Sequence, residues 1–244
     1  FHMQSFDEFN ERLIKLSKSH KLNIRVAALS AFAAHQLQQE DIYPFCQSPL
    51  DYFHTGNLAK HTHNLDTFTN DLIREAEEID SSWEPKDKTT HFGYQTENTI
   101  FNAGENFSLL QKILEEEICA YRATFSSRSS YFIKFWPNSY TLKGWYVRLI
   151  KGGYQDPHIH PSGWISGVVY LKTIARTNNN EGAIELSLHG YDLPIIRKNY
   201  PRKIHQPQKG DIILFPSSLF HRTIPIETEA ERCVVAFDLY PEKD

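Results

Sequence analysis

Apolar residues recur at three- and four-residue spacing through the first half of the chain, and alternate or run together in short blocks through the second. This change of period, near residue 130, predicts helices first and strands afterwards. Phe6 to Ser17 and Ile24 to Gln39 carry the helical spacing, the second stretch being rich in alanine, the strongest helix former. Asn64 to Ile79 predicts an amphipathic helix with acidic flanks. Asn106 to Arg122 predicts another, with Phe107, Leu109, Leu110, Ile113, Leu114, Ile118 and Tyr121 as its buried stripe. Trp83 to Asn102 breaks the period with Pro85, Gly93 and several aromatics. It reads as irregular chain packed against the second half.

Beyond residue 130 the apolar blocks are Tyr131 to Phe135, Tyr140 to Ile150, Trp164 to Ile174, Ala183 to Leu188, Asp211 to Phe215, His221 to Ile226 and Arg232 to Tyr240. All are rich in Val, Ile, Tyr and Phe, which favour strands. Gly152-Gly153, Asn178 to Gly182 and Lys209-Gly210-Asp211 predict the turns between them. About eight short strands with no helices between them predict a mainly β fold. The expected architecture is a double-stranded β-helix (a cupin-like jelly roll) flanked by the N-terminal helices. His189 to Gln208 is long for a connection and has little apolar periodicity. It fits a lid over a barrel mouth or a surface insertion.

Composition narrows the classes. The 244 residues are 40% hydrophobic and 13% aromatic, enough for a packed core and too apolar for disorder. A formal charge of −4 provides no global basic field for nucleic acid or anionic lipid. The basic run from Arg197 to Lys203 is local and reads as a solvated loop. Cys46, Cys119 and Cys233 lie far apart with no C-x-x-C spacing, which suggests reduced thiols and a cytoplasmic location. No apolar run is long enough to cross a bilayer, and no signal-like segment opens the sequence.

The candidate chemistry lies in the β half. His158 and His160 stand two apart, so on a strand they project to the same side. They follow the Gly152-Gly153 turn and precede a strand, at what would be a barrel rim. His221 opens a strand that faces the same mouth, just after Pro216-Ser-Ser-Leu-Phe220. Two neighbouring imidazoles and one from a distant strand can grip one face of a transition metal, and imidazoles select iron, zinc, copper or nickel over magnesium or calcium. The spacing alone is common in a chain with 12 histidines. His61-Thr62-His63 repeats it outside any barrel context and is given no role. Arg232 opens the last strand. A guanidinium inside a barrel is costly unless it meets an anion, and its fork suits a carboxylate. An exposed arginine beside Glu227, Glu229 and Glu231 fits the spacing equally well.

From about Asp51 onward the chain resembles the iron(II)/2-oxoglutarate-dependent oxygenases often fused to tetratricopeptide repeats. The resemblance is carried by Thr89-Thr90, Gly93-Tyr-Gln95, His158-Ile-His160 and Ser166-Gly-Val-Val-Tyr170, then by Gly210 to Ser217, His221 and Arg232 to Phe237. It implies an oxygenase domain over residues 51–244 with its jelly-roll core at 130–244, preceded by a helical extension at 1–50 that is a possible remnant of a repeat region. It implies Fe(II) bound by His158, His160 and His221, which are also the catalytic centre, and the far carboxylate of 2-oxoglutarate paired with Arg232. The implied reaction hydroxylates a substrate C–H bond and releases succinate and CO2. The primary substrate is open among a peptide, a protein side chain and a small molecule, with analogy to repeat-bearing relatives favouring a peptide.

Two positions depart from the wider pattern. His160 stands where an acidic residue is usual, so three neutral imidazoles leave iron at charge +2 instead of the +1 of two histidines and a carboxylate. Asp156 is the alternative carboxylate. Val234 stands where a serine commonly supports the arginine, and Tyr146 is the candidate replacement as hydroxyl donor to the co-substrate. Trp145, Trp164 and Tyr170 read either as pocket lining or as core. A cupin-type three-histidine dioxygenase or isomerase that does not use 2-oxoglutarate is the rival reading: Gly152, Gly210, Pro216 and His221 match its spacing, but its motif glutamate is absent and Arg232 would have no role. A partner-binding module with a purely structural barrel is the non-enzymatic reading.

Overall fold

A computed structural model describes residues 6–175 and 179–242; Asn178, in one predicted turn, lies outside them. The helices are α1 (Phe6–Ser19), α2 (Ile24–Leu37), α3 (Leu65–Glu77), α4 (Glu105–Thr124) and the single turn α5 (Tyr131–Lys134). The strands are β1 (His54–Asn57), β2 (Ser81–Trp83), β3 (Thr90–Thr96), β4 (Tyr140–His158), β5 (Ile165–Lys172), β6 (Ile184–Ser187), β7 (Arg202–His205), β8 (Asp211–Pro216), β9 (Phe220–Thr223) and β10 (Arg232–Pro241). Asparagine caps fix two of the helix starts. The Asn23 and Asn64 side chains accept from the amides of Val26 and Thr67, satisfying donors that the first turn leaves unpaired.

Every strand pair is antiparallel, in the order β1-β8-β5-β10-β4-β9-β6-β7, with β3 added on β4 and β2 on β3. The sheet curls into the expected double-stranded β-helix because β4 serves both halves. Tyr140 to Leu149 pair with β10, and Gln155 and His158 pair with β9. The predicted turn at Gly152-Gly153 is a bend inside this 19-residue strand. Gly152 has φ +84, open to glycine without steric cost, and its amide donates to Ile226 O while Ile226 donates to Gly153 O.

Four segments differ from expectation. Tyr131 to Phe135 is helical, not a strand: four apolar residues around Lys134 carry no usable period, and the Tyr131 and Phe132 amides donate to Pro44 and Phe45 carbonyls. His54–Asn57, with no apolar signal, pairs with β8. Trp83 to Asn102 is ordered, first by the β2–β3 hairpin along β4 and then by a single helical turn at Ile100–Asn102. The supposed loop from His189 to Gln208 contains β7, paired with β6. In α4, Leu109 is exposed while Leu110, Ile113, Leu114, Ile118 and Tyr121 are buried, because Leu109 falls off the i, i+3, i+4 stripe.

Two apolar clusters result. One lies between the helices and the outer face of the sheet and includes Phe68, Phe107, Tyr146, Trp164 and Val235. The other fills the barrel with Val147, Val168, Tyr170, Phe215 and Val234. Phe32 of α2 joins the barrel cluster, so the N-terminal helices contact the barrel directly. No helix among the described residues is long and apolar enough to cross a membrane.

Candidate metal centre

His158 and His221 are cross-strand partners of β4 and β9, and His160 follows two residues beyond His158, its amide donating to Ser217 O at 3.1 Å. Ring centroids are 4.2 Å apart for His158 and His221, 5.1 Å for His158 and His160, and 5.0 Å for His160 and His221. One ring nitrogen from each lies within 4.8 Å of the others. In each ring Nδ1 is engaged: with Asp156 O at 2.6 Å for His158, with Asp238 Oδ1 at 2.6 Å for His160, and with Leu219 O at 3.1 Å for His221. Since these acceptors need Nδ1–H, Nε2 of every ring is the basic nitrogen, the arrangement found behind metal-bound histidines. Withdrawal from water pushes His158 down to about 4, helped by His160. Burial, with His158 and His160 nearby, holds His221 well below its ordinary value. Both rings are therefore neutral near pH 7, as ligation requires.

Asp238 of β10 is 1% exposed. Its Oδ1 also accepts from Ser166 Oγ at 2.6 Å, and its Oδ2 from Tyr240 OH at 3.2 Å. Ser166 Oγ lies 2.8 Å from Ser217 Oγ; with the Ser166 proton committed to Asp238, Ser217 is the donor. A Cβ at Gly163 would stand 2.7 Å from Ser217 Oγ and 3.3 Å from Asp238 Cγ, so a larger residue would press on this chain of bonds.

Arg232 faces into the barrel, 2% exposed, and its Nε and Nη1 have no partner among the described residues. Its guanidinium carbon lies 5.0 Å from the Tyr170 ring centre, and the buried Tyr170 hydroxyl has no hydrogen-bond partner among the described residues. Burial raises the Tyr170 phenol against an opposing pull from Arg232. The three glutamates that offered an exposed pairing are engaged elsewhere: Glu231 with Arg148 and Lys172, Glu229 with Lys151, Glu227 with Asn179.

One cavity of about 440 Å³ has His158, His160, His221 and Arg232 in its walls, a volume typical of small-molecule sites. Trp145 lines it, whereas Trp164 is core and donates from Nε1 to Phe132 O. Tyr146 is not brought to the site. It lies one residue out of phase with Trp145 and Val147, so its side chain falls on the helix-facing side of the sheet. Tyr170, directly opposite Val234 in register, supplies a hydroxyl near Arg232 in its place. Asp156 turns away to His91 Nε2 at 2.7 Å, and His61 pairs with Glu117 of α4. Asp238 was missed, although Arg232, Val234, Ala236 and Asp238 share one face of β10 by simple alternation. Also missed was a directed polar row whose Thr223, Gln155 and Gln95 line the cavity. Thr223 Oγ1 donates to Gln155 Oε1 (3.0 Å), Gln155 Nε2 to Thr90 Oγ1 (3.2 Å), and Thr90 Oγ1 to Gln95 Oε1 (2.8 Å).

Residues 143–238, from β4 to β10, match the family described as "Putative 2OG-Fe(II) oxygenase". No curated protein matches the sequence. Among solved structures, a Pseudomonas putida prolyl-4-hydroxylase aligns with TM-score 0.55 and 10% identity over 78% of this chain and 92% of that one. HygX from Streptomyces hygroscopicus, with nickel and 2-oxoglutarate bound, aligns with TM-score 0.54 and 14% identity over 81% and 87%. A Trichoplax adhaerens prolyl hydroxylase in complex with a hypoxia inducible factor peptide aligns with TM-score 0.54 and 14% identity over 87% and 89%. At these identities the likeness is one of fold.

Proposed function

We propose, from the match of residues 143–238 to the family described as "Putative 2OG-Fe(II) oxygenase", that the chain is a 2-oxoglutarate-dependent hydroxylase of a C–H bond. His158, His160 and His221 would hold Fe(II), and Arg232 would pair with the far carboxylate of 2-oxoglutarate. The observation that carries this reading is Arg232. A buried guanidinium with two unpartnered nitrogens, in one cavity with three convergent imidazoles, is costly unless an anion completes it. A planar carboxylate fits that fork. The cupin reading gives this arginine no task.

Once bound, iron and co-substrate supply the oxidising chemistry, with succinate and CO2 as products. The chain's own residues hold and orient. The Nδ1 tethers hold the three rings in place and leave each Nε2 free for a metal. Arg232 and the Tyr170 hydroxyl define one end of the co-substrate, and Trp145 and Phe215 keep water from the space between. The row from Thr223 to Gln95 is polarised in one direction, which leaves the Gln95 carboxamide N–H groups as its terminal donors. A primary substrate with a hydrogen-bond acceptor, a peptide or a polar small molecule, suits such a wall. Proteins of similar fold include a prolyl hydroxylase bound to a peptide and HygX bound to hygromycin B.

The test is anaerobic addition of Fe(II) and 2-oxoglutarate. The expected result is the weak visible charge-transfer band of the chelate, lost in Arg232→Ala at the same concentrations while metal binding persists. Bound iron without the band in the unaltered protein would overturn the 2-oxoglutarate reading in favour of the cupin one.

A further inference from the structure

The geometry points to Asp238 as the residue that replaces the missing ligand carboxylate, acting on the metal from behind His160. This rests on the three-histidine centre proposed above. A site of two histidines and a carboxylate brings one negative charge to its metal, whereas three imidazoles bring none. Here the charge is present but displaced by one residue. Asp238 Oδ1 accepts from His160 Nδ1 at 2.6 Å, so its electron density reaches the metal side through the ring, strengthening Nε2 as a donor.

Three features show a built position. Asp238 is 1% exposed and faces the cavity from the middle of an apolar strand, where an unsupported carboxylate would be severely penalised. Its oxygens meet donors only: His160 Nδ1 and Ser166 Oγ on Oδ1, Tyr240 OH on Oδ2. That set holds it as the acceptor-only carboxylate. Among the other acidic residues considered for the site, Asp156 is paired with His91, and Asp87, also on the cavity wall, is exposed at the mouth. The neighbouring tethers also differ in kind. His158 and His221 donate to neutral carbonyls, so His160 alone of the three is backed by a charge. Asp238 is thus a positioning residue and the charge partner of the centre, not a ligand.

The decisive measurement is Co(II) affinity, read by visible absorption against a competing chelator without 2-oxoglutarate or turnover. Asp238→Asn should bind Co(II) roughly 10- to 100-fold more weakly. In a His160→Ala background the same substitution should cost nothing further, because its effect passes through that ring. The double variant His160→Asp/Asp238→Asn, which moves the carboxylate into the ligand set, should recover most of the affinity lost in Asp238→Asn. A folded Asp238→Asn with unaltered Co(II) affinity, or an equal loss in the His160→Ala background, would overturn the assignment. The wild-type protein provides a check independent of whether variants fold. Loaded with Zn(II), it should show the His160 Nδ1 proton far downfield of those of His158 and His221 in long-range 1H–15N spectra; equal shifts, or a metal-bound Nδ1, would overturn it. A wild-type protein that binds no Co(II) would instead refute the metal centre itself.

Discussion

At the residue scale, a hydroxyl and a guanidinium are matched in one buried corner. Arg232 and Tyr170 both carry polar atoms without partners, and both approach the same space from adjacent strands. A hydrogen bond to a charged group contributes about 1.5–3 kcal/mol. Tyr170→Phe should therefore weaken 2-oxoglutarate binding by about tenfold or more, measured by titrating the Fe(II)-loaded protein without oxygen. Tyr146→Phe should leave that affinity unchanged, since Tyr146 faces the helices. The contrast separates a residue chosen for its chemistry from one placed by its phase. Tyr146 and Tyr170 are indistinguishable by type in the sequence; only the strand register says which side each faces. The histidines were easier to read, because two residues apart on a strand fixes a shared side whatever the register. Asp238 obeys the same alternation as Arg232, but a single acid in an apolar run gives no sign of its partner 78 positions earlier.

At the scale of elements, the segment after β6 is more than a connection. Gln36 of α2 is 1% exposed and grips this segment as a backbone would: its Oε1 accepts from the Ile196 and Arg197 amides at 2.7 Å each, and its Nε2 donates to Arg197 O at 3.0 Å. The same segment carries Tyr191 to the cavity wall, where its ring packs edge-on against Phe220, next to His221. An N-terminal helix thus braces one wall of the site. Gln36→Ala should leave Co(II) affinity as it is while trypsin cleaves after Arg197 or Lys198 several-fold faster, followed by mass spectrometry of the fragments; unchanged cleavage would show that the grip is dispensable. This contact could not be read from the chain, because Gln36 is a polar residue inside an alanine-rich helix that looks complete by itself. What could be read were the long periodic helices and the Val/Ile-rich strands, where burial enforces pattern. The missed elements, β1, β2, β3 and β7, are at most seven residues long and take their order from partners. Tyr131 to Phe135 failed for the related reason that an isolated aromatic block suits either conformation until its neighbours decide.

For the whole molecule, the centre ties the two halves of the curled sheet together. His158 and His221 belong to the β4–β9 rung, while Asp238, behind His160, belongs to β10 on the other half. A metal bound there adds a cross-link to strands already joined by pairing and binds only the folded chain, so loading should raise the temperature of unfolding. The stabilisation follows mass action, about 2.7 kcal/mol when free metal is 100 times its dissociation constant. Acid acts on the metal-free protein in the opposite direction. In the folded state His158 takes a proton only near pH 4, and His221 lies well below its ordinary value. Released by unfolding, both rings return to about 6.5, so between these limits the unfolded chain binds more protons. The contribution of these two rings is thus fully present above about pH 6.5 and is lost as pH falls toward 4. Thermal scans of the metal-free protein at pH 7, 6 and 5 should show a progressive fall that flattens in His158→Gln, which removes one of the two rings. Saturating Zn(II) should hold the unfolding temperature level until the pH at which protons displace the metal. An equally steep fall with and without Zn(II) would mean that the acid sensitivity arises elsewhere, in groups that do not face the cavity.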